Sequence, residues 1–486
     1  MGDSIPSAHL RSRATPACVL LLLGVGLVWL GRHAANSYAV LEHREGRSFE
    51  FLWFFVFVSL AWHLALAWLE KPYSASPDQE KQLDGLRVVL NVPCYNEDPR
   101  VLAIVLESVL LQRRPFHRVQ VVNDGSDRDL EALAQVEAWW LTQQERTSTI
   151  LEWVNVPNGG KRHAQLVTFL DDDEADVFAT MDSDTVLDRS CVAEGLKPFV
   201  DPRVSSVTSV ILAYNNRDWF VRLTDPWLLA FQLVVRGAMS KLGCVLVNSG
   251  NFSLYRADVI RDAAAVYADE RFLGRPVQFS DDSLLTLFAH LQGRTVQQLS
   301  SFAFTVLPNN VHHHLRQQLR WMRGSTIRSI WRFRYLSFRS YAYWEHFASW
   351  VNFVLITCAF TFIVVLAPVT HAALTPAMLG FTLIVCYMTA LRYLTIARSD
   401  QSAGWQIRTL LLAPAMLVWT AFVLRPLRLY AIATCRRTGW GTRSGKIEVT
   451  LPQGRQHPSR VSSSGSVGLI AQPAAGGRPR GIAPQD

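Results

Sequence analysis

Two pairs of aspartates in this 486-residue chain have spacings that suit carboxylate chemistry. Asp182 and Asp184 close the apolar segment 176–182, which is typical of a buried strand that carries side chains to the edge of an α/β sheet. Hard divalent cations prefer carboxylate oxygens, and a Mg²⁺ ion held in this way usually contacts substrate phosphates as well. We therefore expect Asp182 and Asp184 to bind Mg²⁺ or Mn²⁺.

The second pair, Asp281 and Asp282, follows Phe279-Ser280 and starts an amphipathic segment. An acceptor hydroxyl that attacks a sugar needs a base to take its proton. We expect Asp282 to be that base and Asp281 to orient it. The alternative is that both carboxylates only stabilise the N-terminus of a helix.

Polar side chains also follow two other apolar segments. Tyr95 and Glu97 come after segment 87–92, and Asp124 comes after segment 118–123. Neighbouring strand ends meet at the rim of an α/β sheet, where a nucleotide binds, so Asp124 could accept from a uracil N–H and Tyr95 could pack on the base. The alternative is that Asn123-Asp124-Gly125-Ser126 is only a turn.

Lys161 and Arg162 follow two glycines and open a helical segment. Glycines, a helix N-terminus and two cations together suit a diphosphate. An ordinary helix start with solvated charges is the alternative.

A third group, Gln317, Arg320 and Trp321, lies in a segment with a stripe of aromatic residues and arginines. Such a stripe is typical of a helix that lies at a membrane surface. Trp321 could stack on an acceptor sugar while Arg320 stabilises a leaving diphosphate. Anchoring of Trp321 at the interface is the alternative.

Alternating apolar and amphipathic segments position these groups. We predict strands at 87–92, 118–123, 150–156, 177–182, 204–212 and 246–255, and helices at 101–112, 162–170, 191–200, 226–242 and 282–291. This order predicts an α/β fold with a mostly parallel sheet covered by helices.

Apolar runs of membrane length flank this polar block. Residues 17–31 and 51–69 are predicted to form an N-terminal transmembrane hairpin within residues 1–70, although the first run could also be a signal peptide. The stretches 347–368, 373–394 and 409–433 follow the block. The last is interrupted by Pro414 and Arg425-Pro426, so we interpret it as broken or re-entrant, which keeps the basic tail inside.

Composition limits the alternatives. The net charge is +8, but many of the basic residues flank apolar runs, as in cytoplasmic ends of membrane segments, and we expect no nucleic-acid partner. The seven cysteines have no zinc-site spacing. Arg425 and Arg428, at membrane depth, could line a path for an acidic polymer or snorkel to the interface.

These motifs resemble processive family 2 glycosyltransferases, the group of cellulose, chitin and hyaluronan synthases. The resemblance rests on Asn-Asp-Gly-Ser, Gly-Lys-Arg-His-Ala-Gln, Asp-Ser-Asp, an acidic pair before a helix, and Gln-x-x-Arg-Trp. Bacterial hyaluronan synthases are the most similar group, with Arg-Phe-Leu-Gly-Arg-Pro-Val at 271–277, Gly-Arg-Thr-Val at 293–296 and further matches up to residue 443.

The resemblance implies a GT-A nucleotide-sugar-binding domain between N- and C-terminal transmembrane helices. It implies that Tyr95, Glu97 and Asp124 bind uridine, that Lys161 and Arg162 lie near the diphosphate, and that Gln317, Arg320 and Trp321 form the acceptor site. Trp440, Thr442 and Arg443 resemble a loop that closes over UDP. The implied divisions are 84–310 for the cytosolic GT-A domain, 311–345 for interface helices, 346–435 for transmembrane segments, 436–450 for the gating loop and 451–486 for a disordered tail.

Two departures from the family pattern concern the acceptor side. Ser280 stands where the acidic motif usually has glycine, and 248–252 reads Asn-Ser-Gly-Asn-Phe in place of Cys-Ser-Gly-Pro-Leu. The expected function is a multi-pass plasma-membrane enzyme that polymerises UDP-sugars onto a growing polysaccharide, inverts the anomeric centre and extrudes the product through the lipid bilayer. The product would be hyaluronan-like, made from UDP-GlcNAc with or without UDP-GlcA. The alternative is a chitooligosaccharide synthase or another non-processive membrane transferase that uses a single UDP-sugar.

Overall fold

The computed structural model describes residues 5–45, 50–361 and 375–439. The strands of this part of the chain are β1 Ala8–Leu10, β2 Val88–Cys94, β3 Arg118–Asp124, β4 Ile150–Val156, β5 Val177–Met181, β6 Thr185–Leu187, β7 Val204–Ala213, β8 Phe252–Arg256, β9 Arg271–Phe272, β10 Arg275–Pro276, β11 Arg294–Thr305 and β12 Ile396–Arg398.

The α-helices of the same residues are α1 Ala14–Glu45, α2 Glu50–Leu69, α3 Pro77–Asp84, α4 Pro99–Leu110, α5 Leu130–Thr142, α6 Lys161–Asp171, α7 Cys191–Leu196, α8 Trp219–Ala230, α9 Gly237–Lys241, α10 Ala257–Ala268, α11 Asp281–Gln292, α12 Val311–Tyr335, α13 Tyr341–Thr361, α14 Thr375–Ala390, α15 Ala403–Leu410, α16 Ala413–Trp419 and α17 Arg425–Ala433. Two π-helical segments, Phe231–Arg236 and Thr420–Leu424, join α8 to α9 and α16 to α17.

The central sheet has eight strands in the order β4-β3-β2-β5-β8-β7-β11-β6. One half, from β4 to β5, is parallel throughout. Its strands are mainly apolar, and every residue of β2 and β5 is buried, including Asn91 of β2, as is typical where helices cover both faces of a sheet. The carboxyl ends of β2, β3 and β5 therefore lie side by side.

The prediction of a mostly parallel sheet is right for this half and for the neighbours β7 and β11, which are also parallel. β8 is antiparallel to both neighbours, β5 and β7, and β6 is antiparallel to β11. The predicted strand 246–255 is wrong in its first part, because pairing in β8 starts at Phe252. The preceding residues form a loop that brings the Asn251 carbonyl within 3.3 Å of the Asp182 amide.

Strand β11 was missed by the sequence prediction. Polar residues fill its middle, which hides the period of a half-buried strand, yet this part is buried. Neighbouring groups bind these side chains: Ser301 donates to the Cys191 carbonyl at 2.8 Å, and Gln298 both accepts from the Tyr73 amide and donates to its carbonyl. Buried polar side chains are tolerated where such partners exist.

The predicted helices are present, with shifted ends. The segment predicted at 226–242 begins earlier, at Trp219, and is divided by the π-helical turn. Helix α12 contains the Gln-x-x-Arg-Trp motif and is 25 residues long.

Among the described residues, one helical stretch is long and apolar enough to cross a membrane, Ala403–Ala433, judged by length and composition alone. Within it, a turn at Leu411-Leu412 and the π-helical segment Thr420–Leu424 separate successive helices, as expected from its proline and arginine residues. Shorter apolar helices lie at Pro16–Trp29, Val58–Leu69 and Thr382–Thr395. The predicted gating-loop residues 440–450 and tail 451–486 lie outside the described residues, as do parts of the predicted spans.

Candidate active site

The carboxyl ends of three parallel strands carry the predicted nucleotide-binding and metal-binding residues. Tyr95 and Glu97 follow β2, Asp124 ends β3, and Asp182 follows β5. Because these strands are neighbours in the sheet, the four side chains lie at one edge. We call this edge, with the residues of α6 and α11 that contact it, the donor edge.

Asp124 fixes the loop that leads into α6. Its two carboxylate oxygens accept from the backbone amides of Gly159 and Gly160 at 2.8 and 2.9 Å. Gly160 has φ of +88°, a conformation that glycine adopts without steric cost. A carboxylate has about four lone-pair sites, so these two bonds leave Asp124 able to accept from a further donor.

Lys161 is the first residue of α6 and joins the two acidic pairs. Its ammonium lies 2.6 Å from Asp182 Oδ1 and 2.9 Å from Asp281 Oδ2. Burial alone would lower the pKa of Lys161, but the two carboxylates outweigh burial and raise it, so the side chain is a cation. The same contact holds the pKa of Asp281 below its ordinary value in spite of burial.

Asp282 differs from its neighbour. Burial, with the negative charge of Asp281, raises the pKa of Asp282 to about 6. Its Oδ1 accepts from the Ser283 amide at 2.7 Å, which is part of the helix-terminus role. Its Oδ2 faces Gly250: a methyl group there would lie 3.6 Å from Asp282 Oδ2 and 3.5 Å from Asp182 Oδ2. The two carboxylates thus converge on one small space.

Hydroxyl groups lie next to the remaining acidic groups of the donor edge. Ser183 Oγ donates to Glu97 at 2.8 Å, and Thr305 Oγ1 lies 3.5 Å from Asp184 Oδ1. No group of three or more metal-ligating side chains occurs in the part of the chain that the structure describes. Two carboxylates suffice for a Mg²⁺ ion that also binds substrate phosphates.

Glu270 was missed by the sequence analysis. It is buried and accepts from Arg162 at 2.6 Å, from Arg328 at 2.7 Å and from the Trp331 indole at 3.0 Å. The arginines hold the pKa of Glu270 below its ordinary value although burial would raise it. Arg162, which also donates to the Phe279 carbonyl, is therefore engaged inside the fold, whereas Lys161 faces the acidic pairs.

Helix α12 packs closely against Phe279 and Ser280, the turn that precedes Asp281, and Gly324 is the point of contact on the helix. We call residues 279–282 the acidic turn. A methyl group at Gly324 would lie 1.7 Å from Ser280 Oγ and 3.1 Å from the Phe279 ring. Ser280 has φ of +59°. Glycine would adopt this backbone without strain, whereas a left-handed backbone costs other residues about 1–2 kcal/mol.

Arg320 and Trp321 of the α12 motif lie about one turn before Gly324, and Gln317 lies about two turns before it. Gln317 and Arg320 are half-buried, and Trp321 is 44% exposed, so its ring has a free face. Arg425 donates to Thr357 Oγ1 at 2.8 Å, and Arg428 donates to the Met322 carbonyl at 3.0 Å, which ties α17 to α13 and α12.

The structure thus brings most of the predicted site residues together. Lys161, Asp182, Asp281 and Asp282 form one cluster, with Asp124 attached through the α6 loop. Trp440, Thr442 and Arg443 lie outside the described residues. Two further residues lie beside this cluster: Gly250 faces Asp182 and Asp282, and Glu270 binds Arg162. Gly250 lies in the segment already marked as a departure, whereas the sequence around Glu270 carries no signal beyond its position before 271–277.

Comparisons with known proteins identify the family of this chain. The domain described as glycosyl transferase family 2 matches residues 90–263, and that described as glycosyl transferase family group 2 matches residues 177–424. The hyaluronan synthase of Streptococcus pyogenes serotype M3 is 31% identical over 382 residues, covering 78% of this chain and 87% of that protein.

The chain belongs to glycosyltransferase family 2. The N-acetylglucosaminyltransferase of Rhizobium meliloti is 30% identical over 401 residues, covering 80% of this chain and 88% of the relative. Among solved structures, a mannosyltransferase from Pyrobaculum calidifontis in complex with GDP-Man and Mn²⁺ is 18% identical, covers 79% of this chain and 99% of its own, and has a TM-score of 0.48.

This family 2 glycosyltransferase is an inverting enzyme that uses a UDP-sugar as hexosyl donor. Its α/β domain has the GT-A-like fold of the family. The predictions of the family, the enzyme class and the α/β fold are confirmed. The roles of individual site residues stay predictions.

Proposed function

We propose that this chain is a membrane-embedded synthase that polymerises UDP-sugars and extrudes the polysaccharide, with a hyaluronan-like product made from UDP-GlcNAc with or without UDP-GlcA. The observation that carries the proposal is the position of Asp282. It is a buried carboxylate with a pKa near 6, facing the Asp182 carboxylate across Gly250 and next to helix α12.

The donor binds at the donor edge. Tyr95, Glu97 and Asp124 hold the uridine, and Lys161 and Arg162 favour the diphosphate through their positive charge. Of the two cations, Lys161 is better placed for this role, because it lies beside Asp182 at the donor edge whereas Arg162 binds Glu270 inside the fold. Trp440, Thr442 and Arg443 close over the bound UDP.

Asp182 and Asp184 fit a divalent cation, Mg²⁺ or Mn²⁺. In support, both carboxylates are half-buried at the strand end, and Lys161 binds Asp182 through Oδ1 whereas Oδ2 faces Gly250. A cation bound there would neutralise negative charge on the leaving diphosphate.

Asp282 removes the proton from the acceptor hydroxyl, and that oxygen attacks the anomeric carbon from the face opposite UDP. Asp281, held anionic by Lys161, raises the basicity of Asp282 by its charge. Trp321 stacks on the acceptor sugar, Gln317 borders it, and Arg320 stabilises the departing diphosphate.

The apolar helices on either side of the domain are proposed to cross the plasma membrane several times and to keep the catalytic domain cytoplasmic. The 31-residue apolar stretch Ala403–Ala433 supports a membrane location. The contacts of α17 with α12 and α13 support an exit path next to the acceptor helix.

The decisive experiment supplies purified protein and Mn²⁺ with each UDP-sugar, alone and in pairs, and measures UDP release and product length. Long polymer only with UDP-GlcNAc plus UDP-GlcA supports the hyaluronan-like product. Release of UDP without any polymer would contradict processivity.

A second candidate is a chitooligosaccharide synthase or another non-processive transferase. The 30% identity to an N-acetylglucosaminyltransferase and the altered segment 248–252 favour it. Short products from UDP-GlcNAc alone would identify this alternative.

A further inference from the structure

The loop between α9 and β8 contains Asn251, which reaches both aspartates of the proposed cation site. The Asn251 backbone carbonyl accepts from the Asp182 amide at 3.3 Å. Its side-chain amide donates to Thr305 Oγ1 at 3.0 Å, and Thr305 Oγ1 lies 3.5 Å from Asp184 Oδ1. Asn251 therefore acts on Asp182 through its backbone and on Asp184 through the Thr305 hydroxyl.

Each polar group of the Asn251 side chain has a hydrogen-bond partner. Nδ2 donates to Thr185 Oγ1 at 3.2 Å as well as to Thr305, and Oδ1 accepts from Ser249 Oγ at 2.9 Å. An asparagine amide has two N–H donors and one carbonyl acceptor, so these bonds use both donors and the acceptor. We call Asn251 and its three partners, Ser249, Thr185 and Thr305, the amide network.

The direction of these bonds follows from the Asp184 carboxylate. An ionised carboxylate only accepts hydrogen bonds, so the Thr305 hydroxyl donates its single hydrogen towards Asp184 Oδ1. Thr305 Oγ1 can then only accept from Asn251, which turns the N–H end of the amide towards Thr305 and the carbonyl end towards Ser249. The Asn251 amide therefore decides where the Thr305 hydroxyl points.

Strands of the central sheet hold the amide network in place. Thr185 of β6 and Thr305 of β11 are paired in register and are 0% and 5% exposed. The Ser249 amide donates to Thr208 Oγ1 of β7 at 2.9 Å, and the Ser249 carbonyl accepts from Ser253 Oγ of β8 at 2.7 Å. Site residues supported by rigid elements and outer hydrogen bonds keep their geometry more precisely than residues on loops.

Asn251 is one of the departures from the family pattern, which has proline at this position of Cys-Ser-Gly-Pro-Leu. A proline carbonyl could still accept from the Asp182 amide, but the proline ring has no polar group that could donate to Thr305. The departure therefore adds a side-chain link to Asp184. Its contacts lie on the cation side of the cluster, whereas the sequence pattern had suggested the acceptor side.

We propose that Asn251 is a positioning residue for the divalent cation: through Thr305 it holds the Asp184 carboxylate in the orientation that binds Mg²⁺ or Mn²⁺. The inference rests on the proposed function, because it requires Asp184 to be a metal ligand. Loss of a hydrogen-bond partner of a metal ligand typically lowers metal affinity or activity by about 10–100-fold. The contact between Thr305 and Asp184 is long for an O–H···O bond, so we expect the lower end of this range.

The alternative is that the amide network only stabilises the loop 248–252. Two threonines separate the two roles, because Asn251 donates to both of them but it is Thr305 that lies next to Asp184. Valine has nearly the shape of threonine without its hydroxyl. A purely structural network should respond similarly to Thr185→Val and Thr305→Val, whereas a positioning role makes the second substitution matter for the cation.

The test measures Mn²⁺ binding to the full-length protein in detergent with saturating UDP. Free Mn²⁺ gives an electron paramagnetic resonance signal that is lost on binding, so a titration, corrected for Mn²⁺ held by UDP alone, yields the dissociation constant without turnover. We expect Thr305→Val and Asn251→Leu each to weaken Mn²⁺ binding by about tenfold. Thr305→Ser keeps the hydroxyl and should retain nearly the wild-type affinity.

Thr185→Val is the matched control and should also retain nearly the wild-type affinity for Mn²⁺. UDP affinity measured in the presence of a chelator should be the same in all variants, which reports that the donor edge is folded. If Asn251→Leu fails to fold, the comparison of Thr305→Val with Thr305→Ser still tests the proposal.

Unchanged Mn²⁺ affinity in Thr305→Val and Asn251→Leu would overturn the inference, and so would an equal loss in Thr185→Val. Absence of Mn²⁺ binding by the wild-type protein would overturn it as well. UDP release by a wild-type protein whose variants all bind Mn²⁺ equally leaves the proposed function intact. Absence of UDP release from every UDP-sugar contradicts the proposed function itself.

Discussion

The acidic turn and the amide network orient carboxylates in different ways. At the acidic turn, Lys161 lies 2.9 Å from Asp281, so a charge of opposite sign holds this side chain. In the amide network, the neutral hydroxyl of Thr305 lies next to Asp184, and the Asn251 amide fixes that hydroxyl. An ion pair offsets the charge of a carboxylate, whereas a neutral donor orients a carboxylate without cancelling its charge. The first arrangement suits a side chain that shapes the site, and the second suits one that binds a cation.

The strongest test of the donor edge is removal of its proposed base. Asp282→Asn keeps the size of the side chain but cannot accept the proton, so we expect the rate of UDP release to fall by about 10²–10⁴. UDP affinity should be nearly unchanged. Asp173→Asn, at an exposed position, is the control. Normal polymerisation by Asp282→Asn would show that another group is the base.

The ion pairs of Glu270 join Arg162 of α6 to Arg328 of α12, and a substitution of Glu270 tests whether they stabilise the fold. In Glu270→Gln, Arg162 and Arg328 lose their shared carboxylate while they stay buried, and we expect the free energy of unfolding to fall by about 3–5 kcal/mol. Denaturant unfolding in detergent measures this, with the exposed Glu145→Gln as control. Equal stability of the two variants would mean that Glu270 does not anchor α12.

The contact between α12 and the acidic turn offers a compensating pair of substitutions. Gly324→Ala places a methyl group against Ser280 Oγ and should destabilise the protein by about 1–3 kcal/mol. Ser280→Gly removes both that oxygen and the strain of φ +59°, so alone it should stabilise the protein by about 1 kcal/mol. Thermal unfolding of the double variant should show most of the loss restored. Strictly additive effects would contradict the contact.

The smallest expected effect is on pH dependence. A carboxylate base works when deprotonated, so activity should rise with pH up to about 6 and change by about tenfold per pH unit below that value. Lys161→Gln removes a cation that favours the carboxylate form, which shifts the acid limb to higher pH. Initial rates from pH 5 to 8 measure both. An unshifted limb would show that Lys161 does not tune Asp282.

The sequence by itself determined the parallel half of the sheet and the residues at its carboxyl edge. Mainly apolar segments with Tyr95, Asp124 or Asp182 at their carboxyl ends are local signals, and parallel pairing then forces neighbouring ends together. The Gln-x-x-Arg-Trp segment was likewise recognisable as a helix, and the motif order indicated the family.

Tertiary structure alone decided the antiparallel pairing of β8 and β6, the strand β11 and the contacts between distant segments. β11 has a polar middle that only its buried partners make acceptable as a strand. Glu270 meets Arg328 from 58 residues away, and Asn251 meets Thr305 from 54 residues away. Local patterns record which face of an element is apolar, but which polar side chains meet depends on how elements pack, and this decides whether an ion pair or an amide orients a carboxylate.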